Sequence, residues 1–279
     1  MIVTDKRLDW HTGATYTIWG LFDVHLDSAG CDIKRLTRDI EQIKADPLAR
    51  VVLGGDFNDL TNALFDPRSQ RSNVPKRLSQ EDDYADKCIE WNCDVLSPIA
   101  DKIDAYLTGN HEDGYARRHG TNVARITAHN LNVPYVGYCG YNRYFLSSGR
   151  GKRICTDGIV NGWLHHGAGG GGPVTKGAIG MTRTQTDFRY HYAMSGHIHT
   201  KIFADSVIIE PAGVYGSGKV NEVPICSAVC GTYLKTYPPG STTTYAARSR
   251  SAPAPLGAGR VYIDMYRSKD ERHFKCRIN

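Results

Sequence analysis

The stretch Tyr16-Thr17-Ile18-Trp19-Gly20-Leu21-Phe22-Asp23-Val24-His25 decides how the rest of this chain is read. Tyr16 to Phe22, rich in β-branched and aromatic side chains, reads as a buried strand. An acid and an imidazole stand at its end. The arrangement then recurs along the chain. Arg50-Val51-Val52-Leu53 runs into Gly54-Gly55-Asp56-Phe57-Asn58-Asp59, and Ile103-Asp104-Ala105-Tyr106-Leu107 runs into Gly109-Asn110-His111-Glu112. Ile159 to Leu164 leads to His165-His166-Gly167, and Tyr192-Ala193-Met194 leads to Gly196-His197-Ile198-His199. Apolar runs followed by Gly and polar residues are strands with side-chain-bearing C-terminal loops. The glycines let the backbone turn sharply and come close to whatever is bound. Loops aimed at one edge of a sheet gather these polar residues in one place.

Taken singly, each segment has an ordinary explanation. An Asp-x-His is a common surface turn. Gly109 to Glu112 alone is a helix start, because Asn is a good cap. Gly196 to His199 alone is a strand with two imidazoles on one face. Their order after five apolar runs makes coincidence remote. Together they offer aspartates, an asparagine carbonyl and several imidazoles, with no thiolate. That donor set suits Mn, Fe, Zn, Co or Ni. Two divalent metals about 3.5–4 Å apart activate water and clamp a phosphoryl group, and a carboxylate suits the bridge between them.

In this order the five segments resemble the calcineurin-like metallophosphoesterase superfamily from Asp23 to His199. The resemblance implies an α/β fold, a four-layer αββα sandwich with the metal site at the C-terminal ends of the strands. It implies that Asp23, His25 and His199 bind one metal and that Asp56 bridges. Asn110, His197 and one of His165 or His166 would bind the other, and His165, the first polar residue after its strand, is preferred. His111 matches the family's non-ligand histidine, the general acid that protonates the leaving oxygen after attack by a metal-bridging hydroxide. Asp59 and Glu112 would hold imidazoles in orientation. The implied activity is dinuclear metal-dependent hydrolysis of phosphate esters, with Mn²⁺ the expected metal in vitro.

Departures from the pattern narrow the substrate. Protein phosphatases of the superfamily extend the second motif with Asp-Arg-Gly and place Arg before the GNHE motif. Here Leu60-Thr61 follows Asp59, and Thr108 precedes Gly109. The repair exonucleases place a His three residues after the bridging Asp, where this chain has Asp59. What remains is similar to the small stand-alone phosphoesterases of bacteria and phages, with phosphodiesters, in nucleic acid (DNA or RNA) or nucleotides, as the expected substrates. A small-molecule phosphomonoesterase is the alternative, and a non-catalytic scaffold has no physical need of the full donor set.

The remainder reads as one α/β domain over residues 1–279. Asp32 to Ala45 is a helix with Ile33, Leu36, Ile40 and Ile43 at helical spacing, and Asp82 to Ile103 is a second, broken near Pro98. Tyr141 to Leu146 is an extra strand. Arg260 to Tyr266 alternates and is expected to pair with the second sheet. Ala168 to Pro173 is a glycine-rich connection. Gly213 to Val220 approaches a nucleotide-binding loop but lacks the final Ser or Thr, so it reads as a turn. The polar passage 237–259, with Arg248 and Arg250, reads as an ordered excursion near the active-site edge.

A net charge of +5 is mild for a nucleic-acid binder, yet basic residues gather at Arg68, Arg71, Lys76 and Arg77. Arg117 and Arg118 follow His111 by a turn or so and are candidate substrate contacts. No apolar stretch of about 18 residues suggests a membrane span, and Met1 to Arg7 has charges where a signal peptide needs apolar residues. Eight scattered cysteines read as reduced thiols of a cytoplasmic protein.

Overall fold

Chain order in the computed structural model begins β1 (Ile2–Asp9), β2 (Thr15–Leu21), α1 (Ile33–Ala45), β3 (Ala49–Gly54) and α2 (Tyr84–Leu96). A 3₁₀ helix (Ser97–Lys102), β4 (Ile103–Leu107), α3 (Asn110–His119), α4 (Val123–Asn130) and β5 (Tyr135–Gly137) follow. Then come β6 (Cys139–Ser148), β7 (Cys155–His165), α5 (Ala178–Asp187), β8 (Tyr192–Ser195) and β9 (Lys201–Ala212). The last strands are β10 (Lys219–Cys230), β11 (Gly259–Ser268) and β12 (Glu271–Ile278). The structure describes residues 1–61, 74–75, 77–78, 83–148, 155–170, 175, 177–214, 216, 218–238, 252–268 and 271–278, without the side chains of 155–157.

Two mixed six-stranded sheets result, in the orders β1-β6-β7-β8-β10-β9 and β12-β11-β2-β3-β4-β5. β2, β3 and β4 run parallel, as do β7 and β8. Parallel strands buried on both faces need apolar residues at nearly every position. That is why β2, β3 and β4 are legible as continuous apolar runs. Ile18, Phe22, Val52, Leu107, Leu164 and Met194 fill the space between the sheets. Trp19, Leu21, Val51 and Leu53 point the other way, into Leu36, Ile40 and Ile43 of α1 and Trp91 of α2.

α1 starts where Asp32 accepts a hydrogen bond from Arg35 N. Leu36, Ile40 and Ile43 bury, whereas Ile33 stays exposed at the first turn. The expected break near Pro98 is the change from α2 to the 3₁₀ turn. Its last residue, the buried Lys102, donates to Ile43 O at 2.6 Å, to Asp46 O at 2.5 Å and to Lys44 O at 3.2 Å. A cation there satisfies the carbonyls that every helix leaves open at its C-terminus. Lys102→Met is expected to cost about 2 kcal/mol of stability, read from the urea midpoint.

The C-terminal strand joins a sheet as expected: β11 pairs with β2, and β12 pairs outside β11. Its buried alternate residues Val261, Ile263 and Met265 still face the inter-sheet core. Gly213 to Gly218 lies between β9 and β10, an antiparallel pair, consistent with the turn read there. No described helix is long and apolar enough to cross a membrane. The seven described cysteine side chains are free thiols.

Candidate metal centre

The C-terminal ends of β2, β3, β4, β7 and β8 meet at one place and form three trios of ligand-type atoms, Asp23–His25–His199, Asp56–His166–His197 and His25–Asp59–His111, the last sharing His25 with the first. In the first, His25 Nε2 lies 3.2 Å from His199 Nε2, and His199 Nε2 lies 3.6 Å from Asp23 Oδ1. In the second, His166 Nε2 is 3.2 Å from Asp56 Oδ2. Asn110 Oδ1 joins it, 3.1 Å from His166 Nε2 and 2.7 Å from His197 Nδ1.

The structure brings His166, not His165, into this cluster, so the preference for His165 is corrected. β7 continues through His165, and strand alternation turns that side chain away from the core-facing Leu164 towards the outer face. His166 is the first residue past the strand end and is fully buried.

The loops are held in strained shapes. Asp23, His25, Asp56, His197 and His199 have φ of 49°, 49°, 48°, 71° and 53°. Left-handed backbone costs a non-glycine residue about 1–2 kcal/mol, and such strain clusters at functional sites. The backbone is cross-tied to hold it: Asp23 N donates to Gly55 O, His25 N to Asp56 O, and Gly196 N to His166 O. Gly55 has φ +86°, and a Cβ there would stand 2.6 Å from Gly109 N. Gly196 is needed for a different reason, since a Cβ would collide with the Asp23 carboxylate.

Glu112 departs from its expected role. Among the described residues no imidazole hydrogen-bonds to it. Its carboxylate accepts backbone hydrogen bonds from Asp56 N (3.0 Å), Gly109 N (2.9 Å), Phe57 N (2.7 Å) and Asn58 N (3.2 Å). It therefore ties the Asp56 loop to the start of α3. Burial and the neighbouring Asp56 charge push Glu112 up to about 7, against the pull of those donors. Asp59 does hold one imidazole: its Oδ1 is 3.0 Å from His111 Nδ1, and it lies 3.4 Å from His25 Nδ1, a buried nitrogen with no hydrogen-bond partner among the described residues. His111 Nδ1 also lies 2.7 Å from Asp59 O.

Several features fit a cation here. Asp23 Oδ1 is buried with no hydrogen-bond partner among the described residues, while Oδ2 accepts from His197 N at 2.7 Å. His166 Nδ1 is 2.8 Å from Gly54 O, so Nδ1 carries the proton. With a neutral ring the bare lone pair of Nε2 would face the oxygens of Asp56 and Asn110, so either a proton on Nε2 or a cation between these atoms makes the arrangement favourable. Burial opposes a charge on His166, but the Asp56 hydrogen bond and the Asp56 and Asp23 charges push it up to about 9. Burial likewise opposes ionised Asp56, yet His166, His111 and His25 hold its carboxyl well below the usual range. Oxygen and imidazole donors of this kind suit a borderline divalent metal.

Arg117 and Arg118 lie at the far end of α3, and Arg117 is an exposed side chain paired with Asp113 at 2.5 Å. Seven residues of helix put Arg117 about 10 Å along the axis from Asn110, too far to count with the cluster. Arg77 stacks on Trp91 and pairs with Asp94. Arg68, Arg71, Lys76, Arg248 and Arg250 lie outside the described residues, as does most of the passage 237–259. Its far end returns as a parallel bridge from Leu256 to Thr232.

Two supports went unread in the sequence. Thr232 Oγ1 donates to Asp23 O at 2.7 Å. Buried Asp27 accepts from Leu60 N at 2.8 Å, from Asp59 N and from the Tyr84 hydroxyl. The third acidic or imidazole residue in Asp23-x-His25-x-Asp27 was the available signal. No protein-family model matches the chain, and no curated protein matches it.

Proposed function

We propose that this chain is a dinuclear metal-dependent phosphoesterase of the calcineurin-like metallophosphoesterase type, with the four-layer αββα arrangement, acting on phosphodiesters of nucleic acids or nucleotides. The observation that carries the reading is the meeting of the Asp23–His25–His199 and Asp56–His166–His197 trios, the second joined by Asn110, beside His111, which with Asp59 and His25 forms a third trio. Asp23, His25 and His199 would hold one metal, and Asn110, His166 and His197 the other, with Asp56 shared. Bound metals supply the charge that neutralises phosphoryl oxygens and acidifies water.

The chain's own residues do the rest. Asp59 fixes Nδ1 of His111 as the hydrogen-bond donor, so Nε2 serves the reaction. That nitrogen stands 3.9 Å from Asp56 Oδ2, at the margin of the cluster. It holds the proton that the leaving oxygen takes up. Arg117 and Arg118 would meet the distal part of an extended anionic substrate, not the scissile phosphate. An exposed pair such as Arg117–Asp113 is worth little, so exchanging the carboxylate for a phosphate is inexpensive.

The test is Mn²⁺-dependent hydrolysis of bis-p-nitrophenyl phosphate beside p-nitrophenyl phosphate, repeated on a labelled single-stranded oligonucleotide. Diester and oligonucleotide cleavage supports the reading. Monoester hydrolysis alone makes the chain a small-molecule phosphatase. Absence of both, with metal bound, refutes the assignment. His111→Ala is expected to leave bound manganese unchanged and to lower turnover by about 10²–10⁴-fold. Loss of manganese in that variant would make His111 a ligand.

A further inference from the structure

The two histidines that close β7 face different ways. His166 turns into the metal cluster, while the His165 ring lies 6.3 Å from the Trp163 ring on the outer side of the sheet. His165 Nδ1 accepts a hydrogen bond from Gly167 N at 2.7 Å. That bond places the proton of a neutral ring on Nε2. Among the described residues nothing accepts from this Nε2–H. His165 is half-buried and its Nε2 is not among the sealed polar atoms, so this donor can serve water or a bound ligand.

Tyr138 stands beside both imidazoles. Its ring is edge-on to His165 and His166, with centroids 5.6 Å and 5.4 Å apart, and its hydroxyl donates to Gly167 O at 3.2 Å. Behind this pair, buried Trp163 stacks on Phe188 at 3.9 Å and tilts against Tyr141 at 4.9 Å. Tyr138 and His165 are half-buried and fixed by hydrogen bonds at their polar atoms. The His166 side of the metal cluster is thus bordered by a pre-set aromatic wall with one unspent donor. Such walls take planar rings, because every base has a π-face and stacking needs no particular sequence.

We infer that Tyr138 and His165 form the subsite for an ester arm that carries a planar aromatic ring, as a nucleoside does. The ring packs against Tyr138, and His165 Nε2–H donates to a polar atom of the same arm. The inference rests on reading the neighbouring cluster as a phosphoesterase centre, and it assigns the residues that would favour nucleotides or nucleic acid over aliphatic phosphate esters.

Calorimetric titration of the manganese-loaded protein with adenosine monophosphate and with ribose 5-phosphate compares the same phosphate with and without a base. The nucleotide is expected to bind about tenfold tighter or more. Tyr138→Leu and His165→Ala should each shrink that ratio towards one while bound manganese stays at the wild-type level. Tyr138→Phe, which keeps the ring and the packing, should preserve it. Equal affinities in the wild type, or an unchanged ratio in both Tyr138→Leu and His165→Ala, would overturn the subsite. So would loss of manganese in His165→Ala, which would make His165 a ligand. Binding of neither phosphate by the manganese-loaded chain would instead sink the phosphoesterase reading, and the subsite with it.

Discussion

Asp56→Asn is expected to bring bound manganese from two ions per chain to near zero, and phosphodiester hydrolysis with it. The substitution keeps the shape of the side chain and the oxygen that accepts from His111 N at 2.9 Å. It removes the negative charge that faces His166 Nε2 at 3.2 Å. Without that charge the side chain no longer neutralises a divalent cation, so affinity is expected to fall sharply. Because Asp56 is the carboxylate proposed to be shared, both metals should leave together. Metal analysis after gel filtration distinguishes this from loss of one ion, which would place Asp56 in the His166–His197 trio alone.

Glu112→Ala has the second large effect, and it acts on folding. The carboxylate satisfies four backbone N–H groups from two separate loops. Each donor left buried and unpaired costs about 1–3 kcal/mol, offset in part by water entering the space. A net loss of about 4 kcal/mol or more is expected, a large share of the 5–15 kcal/mol that holds a typical domain together. Glu112→Gln should be milder but still destabilising, since its amide NH₂ must face some of the same donors. Urea unfolding of the three proteins checks the order. An alanine variant as stable as the parent would mean that the Asp56 loop holds its shape without this tie.

How much of this was legible follows from burial. Strands β2, β3 and β4 are enclosed on both faces, so their sequences are apolar throughout and their ends are marked by Gly and polar residues. Helix α1 announced itself through Asp32 and the Leu36–Ile40–Ile43 stripe. β1 did not, because Ile2 to Asp9 forms an edge strand with mostly exposed side chains, so no alternation is imposed on it. β9 is the other edge of the same sheet, and Val207 and Ile209 stand exposed on it. The partner of β11 is a property of the whole sheet and is written nowhere in its own residues.

The candidate ligands show the same division. Aspartates and histidines that directly follow an apolar run can be found by eye. The choice between His165 and His166 depends on where β7 ends, and one residue of extra strand reverses which side chain faces the cluster. Glu112 was legible as part of the site but not by partner, because its partners are backbone groups without sequence identity. Asp27 and Thr232 support the site from positions that no metal motif includes.

The most direct test of the central claim is a metal count on the wild-type protein, reconstituted with Mn²⁺, desalted and measured by inductively coupled plasma mass spectrometry beside His165→Ala and His166→Ala. About two manganese ions per chain are expected in the wild type and in His165→Ala, and a clear loss in His166→Ala. A wild-type chain that retains no metal, or a loss that follows His165 instead of His166, would contradict that claim.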